Sequence, residues 1–346
     1  MISKHDVMRA ISATAHSNNI ASLATPRYGG AGTIFMLHSI IPDDDYLPRE
    51  NIHTTVGFLE STIRYYLMRR VPIVSLSEAM ARLKSGSTER FVSFTFDDGY
   101  RDNLTLALPV FRKYNLPFTV YIASSYLERR HEEYWWGQVR HLVRDNDHIS
   151  GDYWEKPISM KTPREKIAAY RTLSHAIDSG KVDMARVETL FDRYKVSLTE
   201  VLDRDAMTWS ELGIAARTEH LLEIGGHTDS HAHLSTLEEQ TALDDIRRNK
   251  TAIENVIDRP VRHFCYPYGD AASCGPRDFE LARIAGYETA TTTRMGNLFP
   301  AHIDTPWALP RMRFIGPCET IAFMETQRSG AFNAMMSRLG NPVVTA

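Results

Sequence analysis

The feature that most constrains this chain is a repeated alternation of short apolar runs with longer stretches of helical periodicity. The apolar runs are Thr33 to Leu37, VPIVSL, FVSFTF, LPFTVYIA, LLEIGG, VRHFCYPYG and YETATTT. Amphipathic stretches separate them, as from Thr55 to Arg70. Strands that alternate with helices predict a parallel sheet, and this number of units favours a closed barrel. We therefore predict an α/β fold, a distorted (β/α) barrel of about seven parallel strands.

The alternation stops between Leu127 and Trp209, where a polar, charged stretch with helical pieces intervenes. We predict that this stretch is a helical insertion in one elaborated domain. The predicted organisation is a helical leader over 1–32, the barrel over 33–316 with its insertion at about 127–208, and a C-terminal helix within 317–346. Gly340 and Pro342 are stop signals for that helix.

Composition excludes several classes of protein. The formal net charge is -3 without a long run of Lys or Arg, so neither nucleic acid nor an anionic membrane is an expected partner. Cys265, Cys274 and Cys318 show no CxxC spacing, which argues against a disulfide framework or a cysteine zinc site. No apolar run is long enough to span a membrane, and the first residues lack the apolar core of a secretory signal. We expect a cytoplasmic location.

Two adjacent acids follow the strand FVSFTF. Asp97 shares its parity with Ser93 and Thr95, so its side chain faces the polar interior of the predicted barrel. Asp98 would point to the opposite face of an extended strand, but Gly99 permits a turn that lets both carboxylates converge. Two converging anions at the C-terminal end of a barrel strand require a cation or a proton. The alternatives are an ordinary Asp-Asp-Gly turn and a phosphoryl-transfer aspartate.

A histidine pair follows another predicted strand. In LLEIGGHTDSH the strand ends in two glycines, and His227 and His231 are separated by three residues. This spacing places two imidazoles on one face if the turn is helical, a usual arrangement for sharing a metal. A lone histidine would more often be structural, whereas the pair and the acids at another strand end favour a metal site. His233 lacks this spacing and is assigned to the loop or the surface.

Asp98, His227 and His231 together predict a metal site with one carboxylate and two imidazoles. Three protein ligands leave an open position for water, which is the pattern of a catalytic zinc site. We predict a divalent cofactor, Zn²⁺ first, because Co²⁺, Ni²⁺ and Fe²⁺ also accept these ligands. Asp97 remains as the general base.

These motifs resemble those of the polysaccharide deacetylases of carbohydrate esterase family 4, which share the NodB homology domain and include chitooligosaccharide deacetylases. The resemblance covers roughly Ile34 to Phe314. In that family a TFDDG segment supplies the base and then a metal-binding aspartate, which match Asp97 and Asp98. A His-Thr/Ser-x-x-His segment supplies two further ligands, which match His227 and His231. The resemblance implies a hydrolase that removes an N-acetyl or other acyl group from an amino sugar.

The third motif of the family, Arg-Pro-Pro-Tyr-Gly, is altered here. In FCYPYGD, Cys265 aligns with the arginine and Tyr268 with the tyrosine. The backbone N–H of the motif tyrosine helps to hold the oxyanion in relatives, and this role is carried over to Tyr268. The arginine that orients the base is missing. Arg311, in ALPRM, is the candidate to restore its charge; the alternative is an ordinary surface or helix-capping arginine.

The final motif of the family, a Leu-x-His that carries the general acid, has no match after Tyr287. Instead, FMLHS places His38 at the end of the first predicted strand. The first and last strands of a closed barrel are neighbours, so a circular permutation of the motif would bring the imidazole to the same place. This resembles a subgroup that processes exported poly-N-acetylglucosamine. His38 is therefore predicted to protonate the leaving amine; the alternative is a strand-end histidine bonded to the loop.

Three tryptophans offer faces for a sugar ring. Trp135 and Trp136 lie in the insertion, and Trp209 is the candidate for substrate contact, with core packing as the alternative. Two rival functions stay open. One is a carbohydrate-binding relative without catalysis, and the other is an amidohydrolase for a non-sugar or N-formyl amide. The expected cytoplasmic location favours an intracellular oligo- or exopolysaccharide precursor as substrate over a secreted cell-wall polymer.

Overall fold

The structure is a computed structural model that describes residues 10, 12–14, 20–47, 52–130, 134–150, 157–314, 318–337 and 340–344. Most of the predicted leader before Ile20 lies outside the described residues, as do short parts of the predicted insertion and of the predicted C-terminal helix.

The described residues form eleven strands, numbered in chain order. They are β1 (Gly32–Leu37), β2 (Ser39–Ile41), β3 (His53–Thr55), β4 (Phe91–Phe96), β5 (Phe118–Ile122), β6 (His148–Ile149), β7 (Ile158–Ser159), β8 (Leu222–Gly226), β9 (His263–Cys265), β10 (Thr289–Met295) and β11 (Leu309–Arg313). Seven of them close into a barrel in the order β1, β11, β10, β9, β8, β5, β4, and every pair in the barrel is parallel. The predicted α/β barrel is confirmed.

Helices follow most barrel strands. They are α1 (Ile20–Tyr28), α2 (Val56–Met68), α3 (Leu76–Ser85), α4 (Leu108–Tyr114), α5 (Ser124–Leu127), α6 (Trp135–Asp145), α7 (Pro163–Asp178), α8 (Met184–Arg193), α9 (Leu198–Asp205), α10 (Trp209–Thr218), α11 (Glu239–Ile257), α12 (Pro276–Ile284), α13 (Ile321–Arg328) and α14 (Ala331–Met336). The helical segment after β4 begins with a π-helical turn at Asn103–Ala107 and continues as α4.

The prediction that VPIVSL forms a barrel strand is wrong. VPIVSL contributes only an isolated bridge between Ile73 and Val92, and β11 takes the seventh place in the barrel. One edge of β4 pairs with β1 along its whole length, and the end of its other edge pairs with β5. Little of β4 is therefore left for VPIVSL to pair with beyond the bridge at Val92. Ser75 then caps α3 by accepting a hydrogen bond from Glu78 N, so the chain turns into a helix instead of extending.

The two faces of β4 differ in the way that the parity of its sequence predicts. The Phe94 and Phe96 rings pack against Phe111 of α4, outside the barrel. Thr95 faces the interior, where its hydroxyl accepts a hydrogen bond from the Arg311 guanidinium at 3.0 Å. The same alternation continues to Asp97, so the polar face of β4 leads directly into the barrel mouth.

The insertion has a small apolar core of its own, formed by α6, α7 and α8 around Leu142, Leu173 and Phe191. Its end returns to the barrel beside the acidic pair, because Met207 N donates to Gly99 O at 3.1 Å and Arg101 N donates to Asp205 O at 2.7 Å. The insertion is therefore anchored at the mouth of the barrel. The exact boundaries of leader, barrel and terminal segment stay a prediction.

The C-terminal segment forms two helices, where the sequence predicts one within 317–346. Gly330, with φ of 79°, separates α13 from α14. A Cβ at this glycine would lie 2.0 Å from Tyr28 O of α1, so the close approach requires glycine. Within the described part of the chain, each helix is too short or too polar to span a membrane.

The outer core predicts a stability effect at Phe94. Its ring is fully buried against Phe35, Phe111 and Phe314. Phe94→Ala is expected to lower the free energy of unfolding by about 3–5 kcal/mol, because it removes apolar contacts and leaves a cavity. Urea denaturation followed by circular dichroism measures the loss. Ile214→Ala, at a side chain that is 53% exposed, should change stability by less than about 0.5 kcal/mol; equal losses in the two variants would contradict this packing.

Candidate active site

A cavity of about 340 Å³ opens at the C-terminal ends of the barrel strands. Side chains from strand ends form one side of it, and side chains from the insertion form the other. The lining residues are Met36, His38, Ile52, Asp97, Asp98, Tyr100, Trp135, Trp136, Tyr170, Ser174, His227, His231, Tyr268, Thr293 and Arg313. The cavity brings together both acids and both histidines of the predicted site.

The three predicted metal ligands meet in this cavity. Asp98 Oδ1 lies 3.3 Å from His227 Nε2 and 3.2 Å from His231 Nε2, and all three side chains are buried. Burial opposes the charged forms, but the hydrogen bonds from both histidines hold the pKa of Asp98 well below its usual range. Burial likewise opposes a charge on His227, and nearby Cys265 and Asp98 outweigh it and raise the pKa of His227. The Asp98 carboxylate and the two imidazoles are therefore arranged around one positive charge, which a proton or a cation could supply.

The backbone produces this convergence through left-handed residues. Asp98 has φ of 75° and Gly99 φ of 87°, so the turn begins at the aspartate itself. The turn between the histidines is not helical: Thr228 and His231 have φ of 63° and 60°, and a loop brings the two imidazoles together instead. A buried side chain of α11 holds that loop, since Asn249 accepts from His227 N and donates to Ile122 O and Ser124 Oγ.

The donor set fits a divalent metal. Ligand atoms about 2.0–2.1 Å from a tetrahedral metal are roughly 3.3–3.4 Å apart, which agrees with the separations around Asp98 Oδ1. His227 Nδ1 lies 2.7 Å from Cys265 O, so Nδ1 donates its proton to the carbonyl, and Nε2 faces the site, where a metal ion would displace any proton from it. Asp97, His227 and Cys265 form a second close group, but the Arg311 guanidinium contacts both Asp97 and the Cys265 sulfur there. Of the two groups, Asp98, His227 and His231 are therefore the one that could hold a cation.

Arg311 lies in the barrel interior and binds Asp97 through both oxygens. Nη1 donates to Oδ1 at 2.7 Å and Nη2 donates to Oδ2 at 2.8 Å, and the side chain of Arg311 is 0% exposed. Burial alone would raise the pKa of Asp97, but the charge and hydrogen bonds of Arg311 hold it below the usual value. Asp97 is therefore an oriented carboxylate that is ionised at neutral pH. The interpretation of Arg311 as a surface or helix-capping residue is wrong.

The residue that aligns with the missing motif arginine touches the arginine that is present. Cys265 Sγ lies 3.0 Å from Arg311 Nη2. In the barrel order β10 separates β9, which carries Cys265, from β11, which carries Arg311. The short side chain of Cys265 leaves space for the long one of Arg311 to cross the interior to Asp97.

His38 comes directly after β1, and its Nε2 lies 3.8 Å from Asp97 Oδ2. Its carbonyl accepts a hydrogen bond from Asn103 Nδ2 at 2.7 Å, while Asp102 accepts from Ser39 Oγ and Ile40 N. Burial lowers the pKa of His38 more than Asp97 and Asp98 raise it. Asp102 and Asn103 belong to the same TFDDGYRDN segment as the acids, and sequence reasoning missed their part in holding the His38 backbone.

Tyr268 borders the cavity in a tight loop. It has φ of 60°, and its carbonyl accepts a hydrogen bond from Thr293 Oγ1 at 2.5 Å. Its ring stacks on His233 with centroids 3.6 Å apart and 6° between planes, and it lies 5.2 Å from the His231 ring. The His233 Nδ1 atom lies 2.8 Å from Ser273 Oγ. His233, which was assigned to the loop or the surface, supports the aromatic edge of the site.

The insertion supplies the aromatic wall of the cavity. Trp135 and Trp136 line it together with Tyr170 of α7, and the Trp136 indole N–H donates to Tyr100 Oη at 3.4 Å. Trp209 is not among the lining residues. It is half-buried at the first position of α10 and packs against the main core, so the structure favours the packing alternative for this residue.

The Arg311–Asp97 pair predicts a pH-dependent loss of stability. Arg311→Met leaves a buried unpaired carboxylate, so the free energy of unfolding should fall by about 3–5 kcal/mol. The pKa of Asp97 is below its unfolded value in the wild type, so the pair stabilises the fold above that unfolded value of about 3.9 and is lost as the pH falls through the folded pKa. In the variant the pKa of Asp97 should rise above the unfolded value, and protonation then relieves the penalty.

The measurement is urea denaturation at about pH 5 and about pH 8, with the larger loss expected at the higher pH. The double variant Asp97→Leu/Arg311→Met is the matched control and should recover much of the stability, because both buried charges are gone. A loss that is the same at both pH values, or no recovery in the double variant, would contradict the assignment.

The fold occurs in solved deacetylase structures. The chain resembles IcaB from Ammonifex degensii, at 17% identity and a TM-score of 0.56 over 86% of this chain and 97% of that one. It also resembles the Streptococcus pyogenes deacetylase PplD in complex with acetate, at 12% identity and a TM-score of 0.53 over 83% and 92%. A de-N-acetylase from Aggregatibacter actinomycetemcomitans matches at 14% identity and a TM-score of 0.53 over 86% and 99%. At these identities the likeness establishes the fold.

Sequence comparison establishes the family. Comparison with curated proteins gives no significant match. The sequence profile of the polysaccharide deacetylase family matches residues 84–209 and 171–289, which together cover more than half of the chain. The matched region includes both acids and both histidines of the cavity. The chain therefore belongs to the polysaccharide deacetylase family and is a hydrolase of the N-deacetylase class.

Proposed function

We propose that the protein removes an N-acetyl or other acyl group from an amino sugar of an oligo- or polysaccharide, or of its precursor, in a metal-dependent reaction. The observation that carries this proposal is that a set of possible metal ligands and an ionised carboxylate lie side by side in one cavity. Asp98, His227 and His231 form a ligand set, and directly beside it Asp97 is held ionised by Arg311.

Asp98, His227 and His231 would hold the metal, with Zn²⁺ as the first candidate and Co²⁺, Ni²⁺ and Fe²⁺ as alternatives. A bound metal would polarise the acyl carbonyl and make a water molecule acidic enough to lose its proton near neutral pH. The protein contributes the orientation of the ligands. Asn249 holds the backbone of His227, and the carbonyl of Cys265 fixes the tautomer of the His227 ring.

Asp97 is proposed as the general base that takes the proton from the attacking water. A base needs an ionised carboxylate in a fixed position, and the two hydrogen bonds from Arg311 supply both conditions. Arg311 is thus proposed to perform, from β11, the orienting role of the missing motif arginine.

His38 is proposed as the acid that protonates the departing nitrogen. Burial lowers its pKa, so it is neutral at neutral pH and must gain a proton before it can give one. Asp97 Oδ2, 3.8 Å from His38 Nε2, would hold the proton taken from water and is placed to pass it on. The neighbouring positions of β1 and β11 in the barrel support the proposed permutation of the final motif.

Tyr268 is proposed to stabilise the oxyanion through its backbone N–H, in a loop fixed by Thr293 and Gly269. Trp135, Trp136 and Tyr170 are proposed as the apolar surface for the sugar ring, in the place first assigned to Trp209. The contact of Arg311 with Asp97 removes the reason for proposing an inactive carbohydrate-binding relative. An N-formyl or non-sugar amide remains the second candidate substrate, and a cytoplasmic location and an intracellular precursor stay predictions.

Metal dependence is testable on the ligand set. Asp98→Asn and His227→Gln should each weaken Zn²⁺ binding by more than about 100-fold, because even the groups that orient metal ligands are worth 10–100-fold. Mass spectrometry of the metal content after dialysis gives the measurement. His233→Gln is the control, since His233 stacks on Tyr268 without joining the ligand set, and it should retain the metal. Full metal content in the ligand variants would refute the site.

Hydrolysis is testable at the base. The wild-type protein loaded with metal should release acetate from N-acetylglucosamine oligomers, and a chelator should abolish the release until Zn²⁺ or Co²⁺ is restored. Asp97→Asn should lower kcat by about 10²–10⁴-fold while the metal stays bound, because a carboxamide cannot accept the proton. Full turnover by Asp97→Asn on every acylated sugar tested would contradict the proposed role of Asp97 as the general base. Release from N-formyl but not from N-acetyl sugars would favour the second candidate.

A further inference from the structure

One arginine in the cavity has no assigned role. Arg313 ends β11 and lines the cavity, and its Nε atom is buried without a hydrogen-bond partner. In the described part of the chain no carboxylate forms an ion pair with its guanidinium. Burial and the charge of Arg311 lower the pKa of Arg313, and the Asp270 carboxylate offsets this only in part; Asp270 accepts hydrogen bonds from Ser273 N and Ser273 Oγ. Arg313 thus presents to the cavity a charge that has no ion-pair partner among the described residues.

A positive charge on Arg313 without an ion-pair partner is unfavourable in the protein without substrate. Burial lowers the pKa of Arg313, and the charge of Arg311 lowers it further. Two buried arginines of the protein, by contrast, are paired: Arg311 with Asp97 and Arg140 with Asp45. An arginine held in a cavity without its counter-ion is stabilised when an anion enters, because a charged pair with hydrogen bonds replaces an unpaired ion.

The position of Arg313 indicates which part of a substrate it would meet. Arg313 is in register with Met36 of β1, and His38 follows two residues later. It also shares strand parity with Arg311, so both side chains are directed to the same side of β11. Because His38 is proposed to face the departing nitrogen, Arg313 lies in the same cavity near the nitrogen that joins the acyl group to the sugar, and a charged substituent of that sugar can reach it.

We propose that Arg313 selects substrates whose sugar carries an anionic group, either a carboxylate or a phosphate. This inference rests on the proposed function, because it places the sugar by means of His38. Arg311 neutralises Asp97, and the two histidines compensate Asp98, which leaves Arg313 as the remaining charge of the cavity. The planar guanidinium binds a carboxylate or a phosphate through two parallel hydrogen bonds.

The test compares three sugars with the metal-loaded protein: N-acetylglucosamine, its 1-phosphate and its uronic acid. Acetate release should show a kcat/KM about 10–100-fold higher for at least one anionic sugar than for the neutral one, as expected for a charge-assisted hydrogen bond. Arg313→Gln should abolish this ratio, and Arg313→Lys should retain part of it. The anionic sugar that is preferred identifies the group as a phosphate or a carboxylate.

Arg294→Gln is the matched control. Arg294 is a half-buried arginine of β10 that donates to Cys274 O and lies over the Phe279 ring, and it does not line the cavity, so the ratio should persist in this variant. Calorimetric binding of the same sugars separates the two proposals. Selective binding of an anionic sugar without acetate release would contradict the proposed function and support Arg313. Equal binding and turnover of all three sugars, or a ratio unchanged in Arg313→Gln, would overturn the role of Arg313.

Discussion

Two buried carboxylates side by side at the end of β4 are the constraint on which this site depends. The two carboxylates would repel each other if both were ionised in a buried cavity, so each negative charge needs a positively charged or hydrogen-bonding partner of its own. Asp97 receives it from Arg311, through two hydrogen bonds across the barrel interior. Asp98 receives it from His227 and His231, in a geometry that suits a divalent cation. Because their partners differ, the two acids suit different proposed roles, Asp97 as a fixed base and Asp98 as a metal ligand.

The closed barrel makes these compensations available from distant parts of the chain. β1 lies between β11 and β4, so His38, Arg311 and Asp97 meet although more than two hundred residues separate Arg311 from the other two. An open sheet would leave the first and last strands without this contact. Closure therefore explains how a histidine at the start of the chain and an arginine near its end can share one carboxylate.

The insertion converts the mouth of the barrel into a bounded cavity. Its own small core lets α6 and α7 present Trp135, Trp136 and Tyr170 to the cavity that holds the proposed metal ligands. Contacts with Gly99 and Arg101 connect the insertion to the turn after the acids. The aromatic wall and Arg313 thus border the same space from different elements. A sugar ring needs an apolar face and polar groups together, and this cavity provides both where the insertion meets the strand ends.

Local patterns in the sequence determined the barrel class and the four residues of the central motifs. Strand parity sets the direction of Asp97, and the short spacing of Asp98 from Asp97 and of His231 from His227 keeps each pair together in any compact fold. The sequence did not determine the left-handed loop that joins the histidines, the place of β11 instead of VPIVSL in the barrel, or the cavity wall at Trp135 and Trp136 in place of Trp209. The place of β11 depends on barrel closure and on which strand edges are free to form hydrogen bonds. The histidine loop and the cavity wall depend on packing between segments that are distant in the chain. Only the tertiary structure showed that Arg311 reaches Asp97, because the space beside Cys265 comes from a strand that is remote in the chain.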